Sequence, residues 1–128
     1  YFPNFTHVDS VDQRQLVDYY NMAKIALLPS REEGLAMLQA QAIACNLPLV
    51  GSVDSGAEDL KEMVECPEYI TIIEKYTPEC VKSAIDCGLE KYNQLGGMLY
   101  AGSAIENLTW SAYGKRYSSF VKELFEDM

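Results

Sequence analysis

From Leu28 to Leu35 the chain reads Leu-Pro-Ser-Arg-Glu-Glu-Gly-Leu, and here its residue types could do chemistry. Two adjacent carboxylates, Glu32 and Glu33, precede Gly34 and an alanine-rich stretch of helical character. A carboxylate accepts hydrogen bonds from hydroxyl groups, which is what recognition of a sugar requires. The first backbone N–H groups of a helix, here those of Leu35, Ala36 and Met37, lack partners within it and favour an anion such as phosphate. Gly34 lets a ligand approach the backbone closely. A plainer reading stands beside this one: acidic residues in a first turn simply stabilise the helix dipole, by ~0.3–1 kcal/mol each. Ser30 and Arg31 flank the same point and could line a crevice. Gln41 falls two turns beyond Glu33, ~12 Å at 1.5 Å per residue, about the length of a sugar diphosphate reaching toward a ribose. A second loop, Asp54-Ser-Gly56-Ala-Glu58, could line the same crevice. Its ordinary reading is a turn in which Asp54 or Ser55 caps a helix.

These residues need elements to hold them. Ser10-Val-Asp-Gln13 has the S-x-x-Q form of a capping box, and Leu16, Tyr19, Tyr20 and Ala23 follow at helical spacing. Ile25 to Leu28, closed by Pro29, suits a buried strand. Gly34 to Cys45 reads as a helix whose small Ala36, Ala40, Ala42 and Ala44 allow close packing on a sheet, although alanine is also the best helix former. Asn46 can take the left-handed conformation that ends a helix. Pro48 to Gly51 is the next strand, Glu58 to Val64 a short helix, and Tyr69 to Ile73 a β-branched strand. Thr77-Pro78 opens a helix with Val81, Ala84, Ile85, Gly88, Leu89 and Tyr92 on one face. Gly96-Gly97 breaks it. A short helix is expected over Met98 to Glu106, and a last one from Trp110 to Phe125. The aromatic residues of that last helix (Trp110, Tyr113, Tyr117, Phe120, Phe125) read as a face packed on the core, with docking on another domain or dimerisation as alternatives.

Strands alternating with helices predict an α/β fold with a parallel sheet, and Ile25 to Val50 is one βαβ unit. In such sheets ligands bind at the carboxyl ends of the strands, which is where Pro29 to Gly34 falls. About three strands are legible, four with a weak start at Tyr1-Phe2. The expectation is a single, partial domain over 1–128, opening on Tyr1 rather than Met.

The bulk properties exclude some classes. Ten basic against nineteen acidic residues give a net charge of −9, and the basic residues are scattered, so a nucleic-acid backbone is not an expected partner. No apolar run approaches the ~20 residues of a transmembrane helix. Cys45, Cys66, Cys80 and Cys87 form no C-x-x-C pair, and the single His7 has no neighbouring ligand. A zinc site is therefore unsupported, and free thiols in a reducing cytoplasm are expected, with a Cys66–Cys80 disulfide as the alternative.

The segment "AKIALLPSREEGLAMLQAQAIACNLPLVGSVDSGAEDL" resembles the donor-binding region of retaining GT-B-fold glycosyltransferases (group 1, family 4 type). The family pattern, roughly P-S-x-x-E-G-F-G, E-A-M-A-C-G-x-P-V-V and a Gly-Gly-x-x-E turn, is matched by Pro29-Ser30, Glu33-Gly34, Ala42-Ile43-Ala44-Cys45, Pro48-Leu49-Val50, and Gly56 with Glu58 or Asp59. The flanks "FPNFTHVDSVDQRQLVDYYNMA" and "LTWSAYGKRYSSFVKELFED" are similar to the family as well. The resemblance implies a Rossmann-like parallel sheet with flanking helices, the C-terminal, nucleotide-sugar-binding part of a GT-B fold, with the N-terminal acceptor domain absent.

It further implies that Glu33 contacts donor-sugar hydroxyls and that the amides of Leu35, Ala36 and Met37 contact the sugar or diphosphate. It places Gln41 where a second glutamate binds the ribose. The implied reaction is metal-independent transfer of a hexose-type sugar from a nucleotide diphosphate to a glycan or lipid-linked acceptor, with retention. No cofactor is implied, and the location would be cytoplasmic or peripheral to the inner face of a membrane. Three departures bear on this. Gln41 is uncharged, Asn46 stands for a customary glycine, and the Arg and Lys that neutralise the diphosphate have their family positions upstream of this chain. The isolated chain is thus expected to be inactive and, with apolar surface uncovered, to self-associate. A non-catalytic GT-B-like sugar- or partner-binding subunit is the alternative, and a nucleotide-sugar epimerase a third reading.

Overall fold

The computed structural model describes residues 4–31, 37–102, 106 and 110–126. Helix α1 (Gln13–Met22) leads to strand β1 (Ala26–Leu28), helix α2 (Met37–Ala44), strand β2 (Leu49–Ser52) and helix α3 (Ala57–Met63). A 3₁₀ turn (Pro67–Tyr69) precedes strand β3 (Ile70–Ile73), and helices α4 (Pro78–Leu95) and α5 (Trp110–Glu126) follow. All strand pairings are parallel, in the order β1-β2-β3, with Leu27 opposite Val50 and Val50 opposite Thr71.

Central β2 is buried along its whole length, as a parallel strand covered on both faces must be. Its side chains alternate between two cores. Leu49 packs with Ala42 and Ile43 of α2 and Ala57 and Leu60 of α3, while Val50 packs with Ala84 of α4 on the opposite face. Burying Leu49, Ile43 or Leu60 contributes ~1.5–3 kcal/mol each. Close approach of α4 depends on Gly88, where an added Cβ would lie 2.6 Å from Val50 Cγ2 and 3.3 Å from Ile25 Cγ2.

Several expectations meet corrections. Helix α1 does not start from a Ser10 box: Asp12 is the N-cap and accepts from the Arg14 amide at 3.3 Å. A carboxylate so placed satisfies a free N–H of the first turn directly, and Ser10 lies upstream, exposed. The cap of α3 is neither Asp54 nor Ser55 but Gly56, at φ 80°. Ser55 Oγ turns back to the Ser52 carbonyl at 2.7 Å, and Asp54 serves a tyrosine of the β3 end. The expected helix over Met98 to Glu106 is met only in part: Met98 to Ala101 form no helix, and there Tyr100 is drawn inward, fully buried, with its hydroxyl donating to the Leu47 carbonyl at 2.6 Å, whereas Gly102 and Glu106 are in 3₁₀ conformation and 103–105 lie outside the described residues. Thr77 caps α4 as its sequence indicates, its Oγ1 accepting from the Cys80 amide. All four cysteines are free.

The last helix departs most from expectation. Tyr117, Phe120, Leu124 and Phe125 are 59%, 57%, 51% and 69% exposed, so these α5 side chains do not join the core. No helix among the described residues is long and apolar enough to cross a membrane. The proposed Tyr1-Phe2 strand lies outside the described residues.

Candidate functional site

The carboxyl ends of the three strands are tied to one another. The Ser52 hydroxyl, at the end of β2, donates to the Ser30 carbonyl just beyond β1. Tyr76, just beyond β3, donates to Asp54 at 2.6 Å, and its hydroxyl also lies 3.0 Å from the Ser30 carbonyl. The Asp54 carboxylate, by accepting that proton, holds the Tyr76 phenol above its ordinary range, and burial adds to the effect. Arg31 places its guanidinium 5.0 Å above the Tyr76 ring, a cation–π contact that fixes a positive charge beside the strand ends. Pro29, Arg31, Tyr76, Thr77, Pro78 and Val81 line an open groove there.

Behind these loops the backbone of β2 runs directly under α2 and the β2–α3 turn. A Cβ on Gly51 would meet Ala57 Cβ at 2.8 Å, Ser55 Oγ at 3.0 Å and Gln39 Oε1 at 3.4 Å. Gln39 is fully buried and donates from Nε2 to the Ser55 carbonyl at 2.6 Å, while its Oε1 has no partner among the described residues. The glutamine thus ties α2 to the turn ending at Gly56.

Of the residues singled out from sequence, Glu33, Gly34, Leu35 and Ala36 lie outside the described residues, as does Glu32. Met37 begins the described part of α2 and is 48% exposed. Gln41 follows one turn later, half-buried, and its Oε1 accepts from the Tyr20 hydroxyl of α1 at 2.9 Å. Burial, with the nearby Cys45 adding to it, raises the Tyr20 phenol, so it stays a donor. Burial likewise raises the Cys45 thiol, which keeps it from acting as a thiolate. Ser30 and Arg31 sit at the β1 end and Gly56 at the start of α3, and the Tyr76 hydroxyl bridges Ser30 of the first segment and Asp54 of the second.

A family model for glycosyl transferases group 1 matches residues 2–90, a span that includes α1, the three strands, α2, α3 and most of α4. The chain belongs to the glycosyl transferases group 1. Its three-stranded parallel sheet with flanking helices is the Rossmann-like architecture expected of a domain of such a glycosyltransferase. No match is found among curated proteins or among solved structures. Helix α5 follows the matched span.

Sequence reasoning passed over Tyr20, Gln39 and Tyr76 as site-forming residues. Tyr76 carried one usable signal, its place at the carboxyl end of β3 immediately before the Thr77-Pro78 cap. Tyr20 read as an ordinary residue on the apolar face of a helix, and Gln39 carried no signal beyond its place within the second helix. Among the described residues, no group of three His, Cys, Asp or Glu side chains gathers to hold a metal ion.

Proposed function

We propose that this group 1 glycosyltransferase chain forms the C-terminal, donor-binding part of an enzyme that transfers a hexose-type sugar from a nucleotide diphosphate to a glycan or lipid-linked acceptor, with retention and without a metal or other cofactor. The match over residues 2–90 carries the reading, because it spans both loops at the strand ends. In this reading Glu33 accepts hydrogen bonds from the donor-sugar hydroxyls. Gly34 lets the donor approach the backbone, the amides of Leu35, Ala36 and Met37 meet the sugar or diphosphate, Gln41 meets the ribose, and Ser30, Arg31 and Gly56 line the crevice. Stabilising the leaving diphosphate is an electrostatic task. Arg31 supplies one charge for it, and the remaining cations and the acceptor site belong to the rest of the protein. The isolated chain is then inactive. The reaction is placed in the cytoplasm, where a lipid-linked acceptor would bring the enzyme to the inner face of a membrane.

Calorimetric titration of the full-length protein with a panel of nucleotide sugars, alongside Glu33→Ala, tests donor binding. Selective binding lost in the variant supports the reading. The anomeric configuration of the product, read by NMR, tests retention, and inversion sinks it. The exposed α5 side chains support concentration-dependent self-association of the isolated chain, and a monomer at high concentration in sedimentation removes that element.

A second reading, a non-catalytic sugar- or partner-binding subunit, is favoured by one observation: the acceptor oxygen of Gln41 is already engaged by Tyr20. Under it, no nucleotide sugar is turned over by the full-length protein, and Gln41→Glu leaves activity absent. A gain of transfer on that substitution counts against it.

A further inference from the structure

We propose that Tyr76 is a positioning residue: its ring holds the Arg31 guanidinium at the carboxyl ends of the strands, ready for the diphosphate of the donor. The segment after β3 thereby sets how strongly the loop after β1 binds an anion. The inference rests on the donor-binding reading above and deepens it by naming what aims that charge.

The contact follows from topology. Arg31 lies just beyond β1 and Tyr76 just beyond β3, with β2 between them in the sheet. Their meeting therefore crosses the carboxyl end of β2, the side on which open parallel sheets take ligands. Tyr76 is fixed there from its hydroxyl end, which donates to Asp54 at 2.6 Å and lies 3.0 Å from the Ser30 carbonyl. The ring face is left for Arg31, whose guanidinium carbon sits 5.0 Å from the ring centre, within the ~6 Å of a cation–π contact.

The charge on Arg31 is uncommitted. The side chain is exposed and, among the described residues, pairs with no carboxylate. Asp54 meets the hydroxyl end of the ring and Arg31 its face, and the two form no ion pair. Lys82, the other cation lining the groove, is held by Asp86 at 3.1 Å. A ring offers the guanidinium no oxygen acceptor, so its N–H donors remain for phosphate oxygens, which they match as a bidentate fork. A long, free arginine side chain would have to be ordered when the anion binds. The Tyr76 ring does that beforehand.

The test is a double-mutant cycle, read by calorimetric titration of the full-length protein with uridine, guanosine and adenosine diphosphates. Arg31→Gln should weaken binding about tenfold or more, as loss of hydrogen bonds to a charged group does. Tyr76→Leu should weaken it about two- to fivefold, the worth of a cation–π contact at an exposed site. Beside Arg31→Gln, Tyr76→Leu should cost nothing further. In ~1 M salt, where screening reaches within ~3 Å, the gap between Tyr76→Leu and the wild type should shrink. A merely structural role would weaken binding by one factor in both backgrounds and at either salt. Tyr76→Phe is the second variant. It keeps the ring without its hydroxyl ties, so its loss should be smaller and again absent beside Arg31→Gln. Unchanged affinity in Arg31→Gln or in Tyr76→Leu, or losses that simply multiply, overturns the inference and leaves the donor-binding reading intact. Absence of binding by all three diphosphates overturns both.

Discussion

Gln39 of α2 and Ser55 of the β2–α3 turn are joined by a buried hydrogen bond of 2.6 Å, from Nε2 to the backbone carbonyl. The other end of the same amide, Oε1, is buried without a partner among the described residues and faces the position where Gly51 lacks a side chain. The turn that ends at Gly56 is thus held by a side chain from the helix beside it. Substituting Gln39→Leu leaves the Ser55 carbonyl unpaired and should cost ~1–3 kcal/mol. Gln39→Glu should cost more, ~3–5 kcal/mol, because it buries a charge with no partner and removes the donor. The sign of its pH dependence follows. Burial raises the folded-state pKa of the new carboxyl above its unfolded value, so its stability is restored as pH falls and lost as pH rises. Urea midpoints at pH 5 and pH 8 check this; equal midpoints for Gln39→Glu would refute it.

Gly88 and Val50 set how closely α4 lies on the sheet. Gly88→Ala gains ~1 kcal/mol of helix propensity, yet its Cβ would sit 2.6 Å from the branched, fully buried Val50 side chain. Overpacking of ~1–3 kcal/mol should win and leave the variant less stable. Adding Val50→Ala should recover part of the loss, as a double-mutant cycle with favourable coupling. Additive effects would show that the two do not meet.

Tyr100 anchors the segment after α4. Its hydroxyl donates to the buried Leu47 carbonyl, and its ring lies 5.4 Å from that of Tyr69. Tyr100→Phe should cost ~1–3 kcal/mol by orphaning the carbonyl. Burial also raises the Tyr100 phenol well above its ordinary range. A raised folded-state pKa gives stability that is present in full below the unfolded value, ~10, and is lost as pH rises toward the folded value. Wild-type stability should therefore fall more steeply above pH ~10 than that of Tyr100→Phe, with Tyr20 and Tyr76 adding smaller slopes to both. Parallel alkaline denaturation profiles would contradict this.

Asn46 ends α2 at φ 61°, where glycine is the easier residue. The side chain does more than tolerate the angle. Nδ2 donates to the Met98 carbonyl at 2.8 Å, and Oδ1 accepts from the Tyr100 amide at 3.2 Å. Asn46→Gly should relieve the backbone but lose both bonds, for a net cost of ~1 kcal/mol. Asn46→Ala loses the bonds and keeps the strain, and should be worse by a further ~1 kcal/mol. Thermal midpoints rank the three, and a Gly variant more stable than wild type would show the two bonds to be worth little.

Much of this fold could be read from local pattern. The run Ala26-Leu27-Leu28 before Pro29, the β-branched Ile70 to Ile73 and the Thr77-Pro78 cap each state their own conformation, because strand bias and capping act within a few residues. The same holds for Asn46 as a helix end. The start of α1 was misread because Ser10 and Asp12 are both good caps, and choosing between them depends on which one reaches a free amide. The α5 face was read as core, since an amphipathic pattern says that a face is covered without saying by what.

The sequence alone determined the α/β class, the parallel order of alternation and the family motif around Glu33, Gly34 and Gln41, since periodicity and spacing are properties of the chain itself. Only the tertiary structure decided how Gln41, Gln39 and the strand ends are used. Tyr20 meets Gln41 across 21 residues, Gln39 meets Ser55 across 16, and Tyr76 meets Asp54 across 22. Each is a directional bond between groups that many other placements would have kept apart. A hydrogen bond needs its partners within ~3 Å and aligned, and that precision comes from packing two helices and a neighbouring strand end against one sheet.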